Sequence, residues 1–301
     1  MLATQPLIPY VAVDAVMLEA RAASLAKRSI KTTAKRAGID LAIRCMDLTT
    51  LEGRDSEGKV RSLCAKAMTP RPGWPGVPSV AAVCVYPNLV AIAKDALRGS
   101  TVKVASVATS FPSGLADLSI KLADTEQAIS AGADEIDMVI DRGAFLSGYE
   151  RKVFDEILAV KAVCGDRAHL KVILETGELG SYENTRRASD LALEAGADTI
   201  KTSTGKVGTN ATFPTALVMC EAIRDFARRT GQRRGLKVAG GVKTTKQALT
   251  YLVIVNETLG PQWLDPDLFR IGASTLLDDL LMQLEKLDTG SYAGADYIPK
   301  D

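Results

Sequence analysis

Lys201 lies in the run Ile200-Lys201-Thr202-Ser203-Thr204-Gly205-Lys206, within a predicted strand over 199–203. A buried strand disfavours the ammonium form of a lysine, which lowers its pKa and leaves a neutral amine able to attack a carbonyl. Lys237, in Leu236-Lys237-Val238-Ala239-Gly240-Gly241, repeats the pattern on the next strand. At a strand spacing of ~4.8 Å two such charges repel strongly, so one of the two is depressed further. Asp137 interrupts an otherwise apolar strand, and Asp47 ends the first one in Cys45-Met46-Asp47-Leu48-Thr49-Thr50. A lone lysine on a strand is more often an edge or snorkelling residue, and a lone Asp at a strand end can cap a turn. Two amines and two carboxylates in one ring of strand ends point instead to a single catalytic site.

Composition narrows the chemistry further. His169 is the only histidine, which argues against multi-imidazole zinc or iron hydrolases and against Ser-His triads. The five cysteines, Cys45, Cys64, Cys84, Cys164 and Cys220, form no C-x-x-C pair, so neither a disulfide framework nor a thiolate zinc site is expected. Cys84 has no histidine beside it and reads as a small packing residue lining the pocket. Lys plus Arg total 37 against 36 Asp plus Glu, a net charge of +1 that offers no field for nucleic acid or an anionic membrane. No apolar run is long enough to span a bilayer, and the first residues lack the pattern of a signal peptide. A cytoplasmic protein acting on a small-molecule substrate is the expectation, and a homo-oligomer is compatible with it.

The elements that must position these side chains alternate along the chain. Strands are predicted at 43–47, 80–86, 102–109, 135–140, 170–175, 199–203, 236–239 and 269–271, each followed by a helical pattern. Eight β-then-α units of about 31 residues match a closed (β/α)8 TIM barrel of ~250 residues. A doubly wound open sheet is the weaker alternative, having fewer strands and a nucleotide fingerprint after the first. The expected division is an N-terminal helical extension over 1–40, the α/β barrel over 41–288 and a tail over 289–301. One basic helix between Val11 and Ala37 is expected to pack beside the barrel. The repeat Ala131-Gly132-Ala133-Asp134-Glu135-Ile136-Asp137 and Ala195-Gly196-Ala197-Asp198-Thr199-Ile200-Lys201, offset by 64 residues, makes Asp137 and Lys201 equivalent positions. The Pro-rich stretch 69–79 reads as an αβ connection on the face away from the chemistry.

Gly240-Gly241 and Gly272-Ala273-Ser274-Thr275 follow the seventh and eighth strands, where barrels commonly hold phosphate on bare backbone N–H groups and a helix N-terminus. Gly205 and Lys206 can close that anion site. Thr204-Gly205-Lys206 resembles the end of a nucleotide phosphate loop, but Val207 stands where Ser or Thr is required and the first glycine is missing.

Taken together, Cys45 to Thr50, Cys84-Val85-Tyr86-Pro87, Gly132 to Asp137, Glu175-Thr176-Gly177-Glu178-Leu179, Ile200 to Lys206, Ala239-Gly240-Gly241 and Gly272-Ala273-Ser274 resemble the deoxyribose-phosphate aldolases of the Schiff-base type. The N-terminal extension is similar to that of the eukaryotic-length branch. The resemblance implies Lys201 as the Schiff-base lysine, Lys237 as the group that tunes it, Asp137 as a proton relay through water and Asp47 as an assisting carboxylate. It implies substrate contacts at Cys84, Thr204, Gly205, Lys206, Gly240, Gly241, Gly272 and Ser274, with no cofactor and no metal. The implied reaction is reversible cleavage of 2-deoxy-D-ribose 5-phosphate to acetaldehyde and D-glyceraldehyde 3-phosphate. Two departures stand out: Val238 replaces the proline that follows the family's second lysine, and the family's tail tyrosine has two counterparts, Tyr292 and Tyr297. Alternatives are a Schiff-base lyase or transaldolase for another sugar phosphate, and a phosphosugar-binding barrel without catalysis.

Overall fold

The computed structural model describes residues 7–291, so Tyr292 and Tyr297 lie outside the described residues. Eight parallel strands close into a barrel in chain order, each paired with its neighbours and the last returning to the first. They are β1 (Met46–Thr49), β2 (Ala82–Val85), β3 (Lys103–Ala108), β4 (Glu135–Val139), β5 (His169–Ile173), β6 (Thr199–Lys201), β7 (Gly235–Ala239) and β8 (Phe269–Ala273). Helices cover them from outside: α3 (Glu57–Met68), α4 (Val90–Ala96), α5 (Leu118–Ser130), α7 (Glu150–Cys164), α8 (Tyr182–Glu194), α9 (Phe213–Thr230), α10 (Thr245–Leu259) and α11 (Leu276–Thr289). A short α6 (Arg142–Leu146) lies between β4 and α7. Outward strand residues such as Leu48, Ile136, Ile200 and Val238 are buried against these helices, as a parallel sheet requires.

The Ala-Gly-Ala-Asp repeat has a physical reason. Gly132 and Gly196 have φ of +106° and +97°, a region that disfavours a side chain, and a Cβ there would meet the stems of Lys94 and Lys161 at 3.0 and 3.4 Å. Asp134 then accepts the Val104 N–H at 2.8 Å and pairs with Lys94, while Asp198 accepts the Leu170 N–H at 2.9 Å and pairs with Lys161. Each copy thus ties a helix end to the start of the preceding strand, so the residues three positions on, Asp137 and Lys201, arrive at matching heights.

Two expectations need correction. The basic N-terminal segment forms two helices, α1 (Ala15–Ala26) and α2 (Thr32–Arg44), rather than one. The first strand begins at Met46, because Ile39, Ala42 and Ile43 are the buried stripe of α2. Both helices pack outside the barrel, where Arg21 bonds Glu221 of α9 at 2.6 Å and Lys35 bonds Gln283 of α11 at 2.8 Å. No helix among the described residues is long and apolar enough to cross a membrane.

Candidate active site

The barrel interior holds four cations and three carboxylates, all buried: Lys171, Lys201, Lys237 and Arg270 with Asp47, Glu135 and Asp137. Strand register brings them together. Asp137 pairs across with Lys171, Lys201 with Lys237 and Lys237 with Arg270, while Glu135 and Asp137 share a face at the period of two. Asp137 Oδ1 accepts a hydrogen bond from Lys171 Nζ at 2.8 Å, and its Oδ2 accepts from Lys201 Nζ and Lys237 Nζ, each at 2.7 Å. Lys237 also bonds Asp47 Oδ2. Arg270 spans Asp47 at 2.6 Å and Glu135 at 2.7 Å, and Lys171 completes the ring at 2.5 Å from Glu135.

This wiring separates the lysines. Among the described residues, Lys171, Lys237 and Arg270 each touch two carboxylates, whereas Lys201 touches Asp137 alone, which it shares with two other ammonium groups. Burial, aided by the Lys237 charge, lowers the Lys201 pKa against the pull of Asp137. For Lys237, burial also works against the charge, but Asp137 and Asp47 outweigh it and hold the pKa above its ordinary value. Lys171 is likewise raised: burial is outweighed by Asp137 and Glu135. Asp137 and Asp47 are both held below the carboxylate range, because their cations overcome a large cost of burial. With four cations on three anions, Lys201 is the group whose proton is most easily lost. Replacing Lys237 by leucine removes a neighbouring charge and releases a share of Asp137 to Lys201, and both effects raise the Lys201 pKa. The acidic limb of the kcat/KM profile is therefore expected to move to higher pH, and an unmoved limb in an active variant would remove Lys237 from this role.

Above the charges opens a cleft of about 720 Å³ at the C-terminal ends of the strands. Lys201 reaches its floor, and Thr204, Gly205, Lys206, Gly240, Gly241, Gly272 and Ser274 all line it. Asp47, Asp137 and Lys237 lie beneath rather than in its lining. Cys84 is also outside the lining, fully buried in a small apolar cluster with Leu51, Ala105 and Val107, where burial pushes its thiol up. Gly272 leaves room for Lys237: a Cβ there would sit 3.0 Å from Lys237 Cε and 3.1 Å from Ala239 Cβ, closer than side chains ordinarily pack. His169 is far from acid–base service in chemical terms, because burial lowers its pKa to about 4, and its Nε2 is bonded to Thr199 Oγ1 at 2.9 Å.

Residues 41–279 match the family model described as DeoC/LacD family aldolase. The chain belongs to this family. It is 46% identical over 285 residues to deoxyribose-phosphate aldolase of Mus musculus, and 45% identical over 285 residues to that of Homo sapiens. Each alignment covers 91% of this chain and 89% of the relative. Among solved structures, deoxyribose phosphate aldolase from Aeropyrum pernix, described as a unique tetrameric structure, is similar at a TM-score of 0.59 and 27% identity. That match covers 84% of this chain and 93% of the other.

In this DeoC/LacD aldolase, several residues around the site carry no sequence signal that marks them. Lys171, Glu135 and Arg270 were hidden as single charges on strands, although the spacing Glu135-x-Asp137 already put two carboxylates on one face. Arg54, Lys59 and Lys243 add cations to the cleft, all on the βα side of the barrel. Glu175 is visible in the sequence as part of a motif but not for what it holds. Its φ of +54° is unusual for a residue with a side chain, and its buried carboxylate accepts the Thr204 N–H at 3.2 Å and the Thr204 hydroxyl. Thr204 Oγ1 in turn accepts the Lys206 N–H at 3.0 Å. Both Thr204 donors are thus committed to shaping the loop that carries Lys206. Val238 leaves β7 unbroken and points into the outer core, while Lys237 points inward to its carboxylates.

Proposed function

We propose that this aldolase cleaves 2-deoxy-D-ribose 5-phosphate reversibly to acetaldehyde and D-glyceraldehyde 3-phosphate through a Schiff base on Lys201. The observation that carries the reading is Lys201 itself: among the described residues it is the one interior lysine that lines the cleft, and its pKa is lowered. A neutral amine adds to the aldehyde carbon of the open-chain sugar, and the carbinolamine takes up one proton and loses water to give an iminium. The iminium accepts the electron pair of the C2–C3 bond as that bond breaks, while the C3 hydroxyl gives up its proton and becomes the aldehyde of the three-carbon product. The remaining enamine takes a proton at carbon, and water releases acetaldehyde from Lys201.

The protein's part in these steps follows from the wiring. Asp137, ionised and shared by three lysines, is positioned to hand protons to and from the Lys201 centre, directly or through one water. Lys237 keeps its charge and so keeps Lys201 short of protons. At the other end of the cleft, Gly205, Lys206, Gly240, Gly241 and Ser274 suit the phosphate. Gly240 and Gly241, at φ of +80° and +76°, present backbone without side chains, and Ser274 and Thr275 line the cleft at the start of α11.

Borohydride reduction in the presence of acetaldehyde tests the reading. A two-carbon adduct on Lys201 is expected, located by peptide mass spectrometry. Absence of any adduct would support a binding barrel without catalysis, and an adduct on Lys237 would exchange the roles of the two lysines.

A further inference from the structure

The mouth of the cleft is crossed by an ion pair between two βα loops. Lys206 Nζ, on the loop after β6, lies 2.8 Å from Glu52 Oε1, on the loop after β1. Among the described residues the other carboxylate in the lining, Asp55, is turned to its own loop: its Oδ1 accepts the Thr50 hydroxyl at 2.8 Å and its Oδ2 accepts the Glu52 N–H at 2.9 Å. Glu52 is therefore the lining carboxylate that occupies a cation of the anion site.

We propose that Glu52 is an internal counter-ion that the phosphate of the substrate must displace from Lys206, so that Glu52 sets how selectively and how tightly the cleft holds phosphorylated ligands. The inference rests on the phosphate end of the cleft as assigned above. Three observations favour exchange over a permanent bridge. The Glu52 side chain is 63% exposed while that of Lys206 is 28% exposed, so the carboxylate regains water on leaving more readily than the lysine would. Beside it, a Cβ on Gly53 would meet nothing within 4 Å, which gives the loop tip room to turn away. A phosphate dianion also brings more charge than a carboxylate to a cleft that includes Arg54, Lys59 and Lys243. With the cleft empty, the carboxylate satisfies Lys206 and competes with stray monoanions; with a phosphorylated sugar present, it gives way.

The test is a double-mutant cycle on the full-length enzyme, using Glu52→Gln, Lys206→Met and the combined variant. The readouts are KM for 2-deoxyribose 5-phosphate, KM for unphosphorylated 2-deoxyribose, and the inhibition constant of inorganic phosphate. Glu52→Gln is expected to lower the phosphorylated KM and the phosphate inhibition constant together, by about two- to five-fold, the scale of one exposed ion pair. The unphosphorylated KM is not expected to follow. In the Lys206→Met background the same change is expected to do nothing, because the pair is already broken. A gain that persists without Lys206 would overturn the proposal in favour of a general effect of charge. If Lys206→Met weakens the phosphorylated substrate while Glu52→Gln is silent, the counter-ion role fails and the phosphate site stands. If both variants are silent, both fail.

Discussion

Replacing Lys201 with methionine is expected to give an enzyme without aldol activity whose fold is at least as stable as the parent. Loss of the amine removes the covalent route entirely, so cleavage should fall by a factor on the order of 10³ or more, measured by coupling the three-carbon aldehyde to a dehydrogenase. Stability runs the other way. Among the described residues the interior has four cations and three carboxylates, and Lys201 is the cation with a single carboxylate partner, Asp137, where each of the others has two. Removing it leaves three against three, each remaining cation still touching two carboxylates, and replaces a buried amine with an apolar chain of similar length. Thermal unfolding at neutral pH should therefore show no loss. Lys201→Arg completes the test, because a guanidinium stays protonated and cannot form the carbinolamine. Turnover at the parent rate in either variant, or an acetaldehyde adduct that survives the substitution, would place the nucleophile elsewhere.

The barrel is legible in the sequence, and so is the presence of Asp47, Asp137, Lys201 and Lys237 on its strands, because those signals are local. Eight β-branched runs alternating with helical patterns predict the strand order, and an amine or carboxylate within such a run is visible where it stands. What the sequence withheld is pairing. Nothing in His169-Leu170-Lys171 says that Lys171 faces Asp137, since that depends on the register between β4 and β5. Arg270 looks like any charge in a short strand until the closed barrel sets it between Asp47 and Glu135. The first strand begins three residues later than its apolar pattern predicts, for a related reason. Ile43 is apolar whether it belongs to a strand or to the buried stripe of α2, and only the packing of α2 on α10 and α11 decides. Glu175 was legible as part of a motif but not as a clamp on Thr204, because its left-handed backbone has no sequence signature in a residue with a side chain.

Asp137→Asn is expected to slow the reaction by about 10²-fold or more while weakening the fold, two effects that pH separates. Conserved volume alone would leave the fold untouched, but Asp137, fully buried, accepts three ammonium hydrogen bonds. Without its charge, Lys171 retains Glu135, Lys237 retains Asp47, and Lys201 retains no carboxylate. Breaking a buried pair this way costs about 3–5 kcal/mol when the stranded charge cannot escape. Here Lys201 can escape by losing its proton, so the low end of that range is expected. The sign with pH follows from the lowered Asp137 pKa. Its stabilising contribution is present above the ordinary carboxylate pKa and disappears as pH falls through the lowered native value. The melting temperature of the variant should thus lie below the parent at neutral pH, and the gap should close on acidification. Catalysis gives the complementary sign: a more easily deprotonated Lys201 moves the acidic limb of the pH profile downward even as the maximum rate collapses. If the variant exchanges the methyl protons of acetaldehyde with deuterated solvent at the parent rate, Asp137 is a counter-ion for the lysines and the proton path runs through another group.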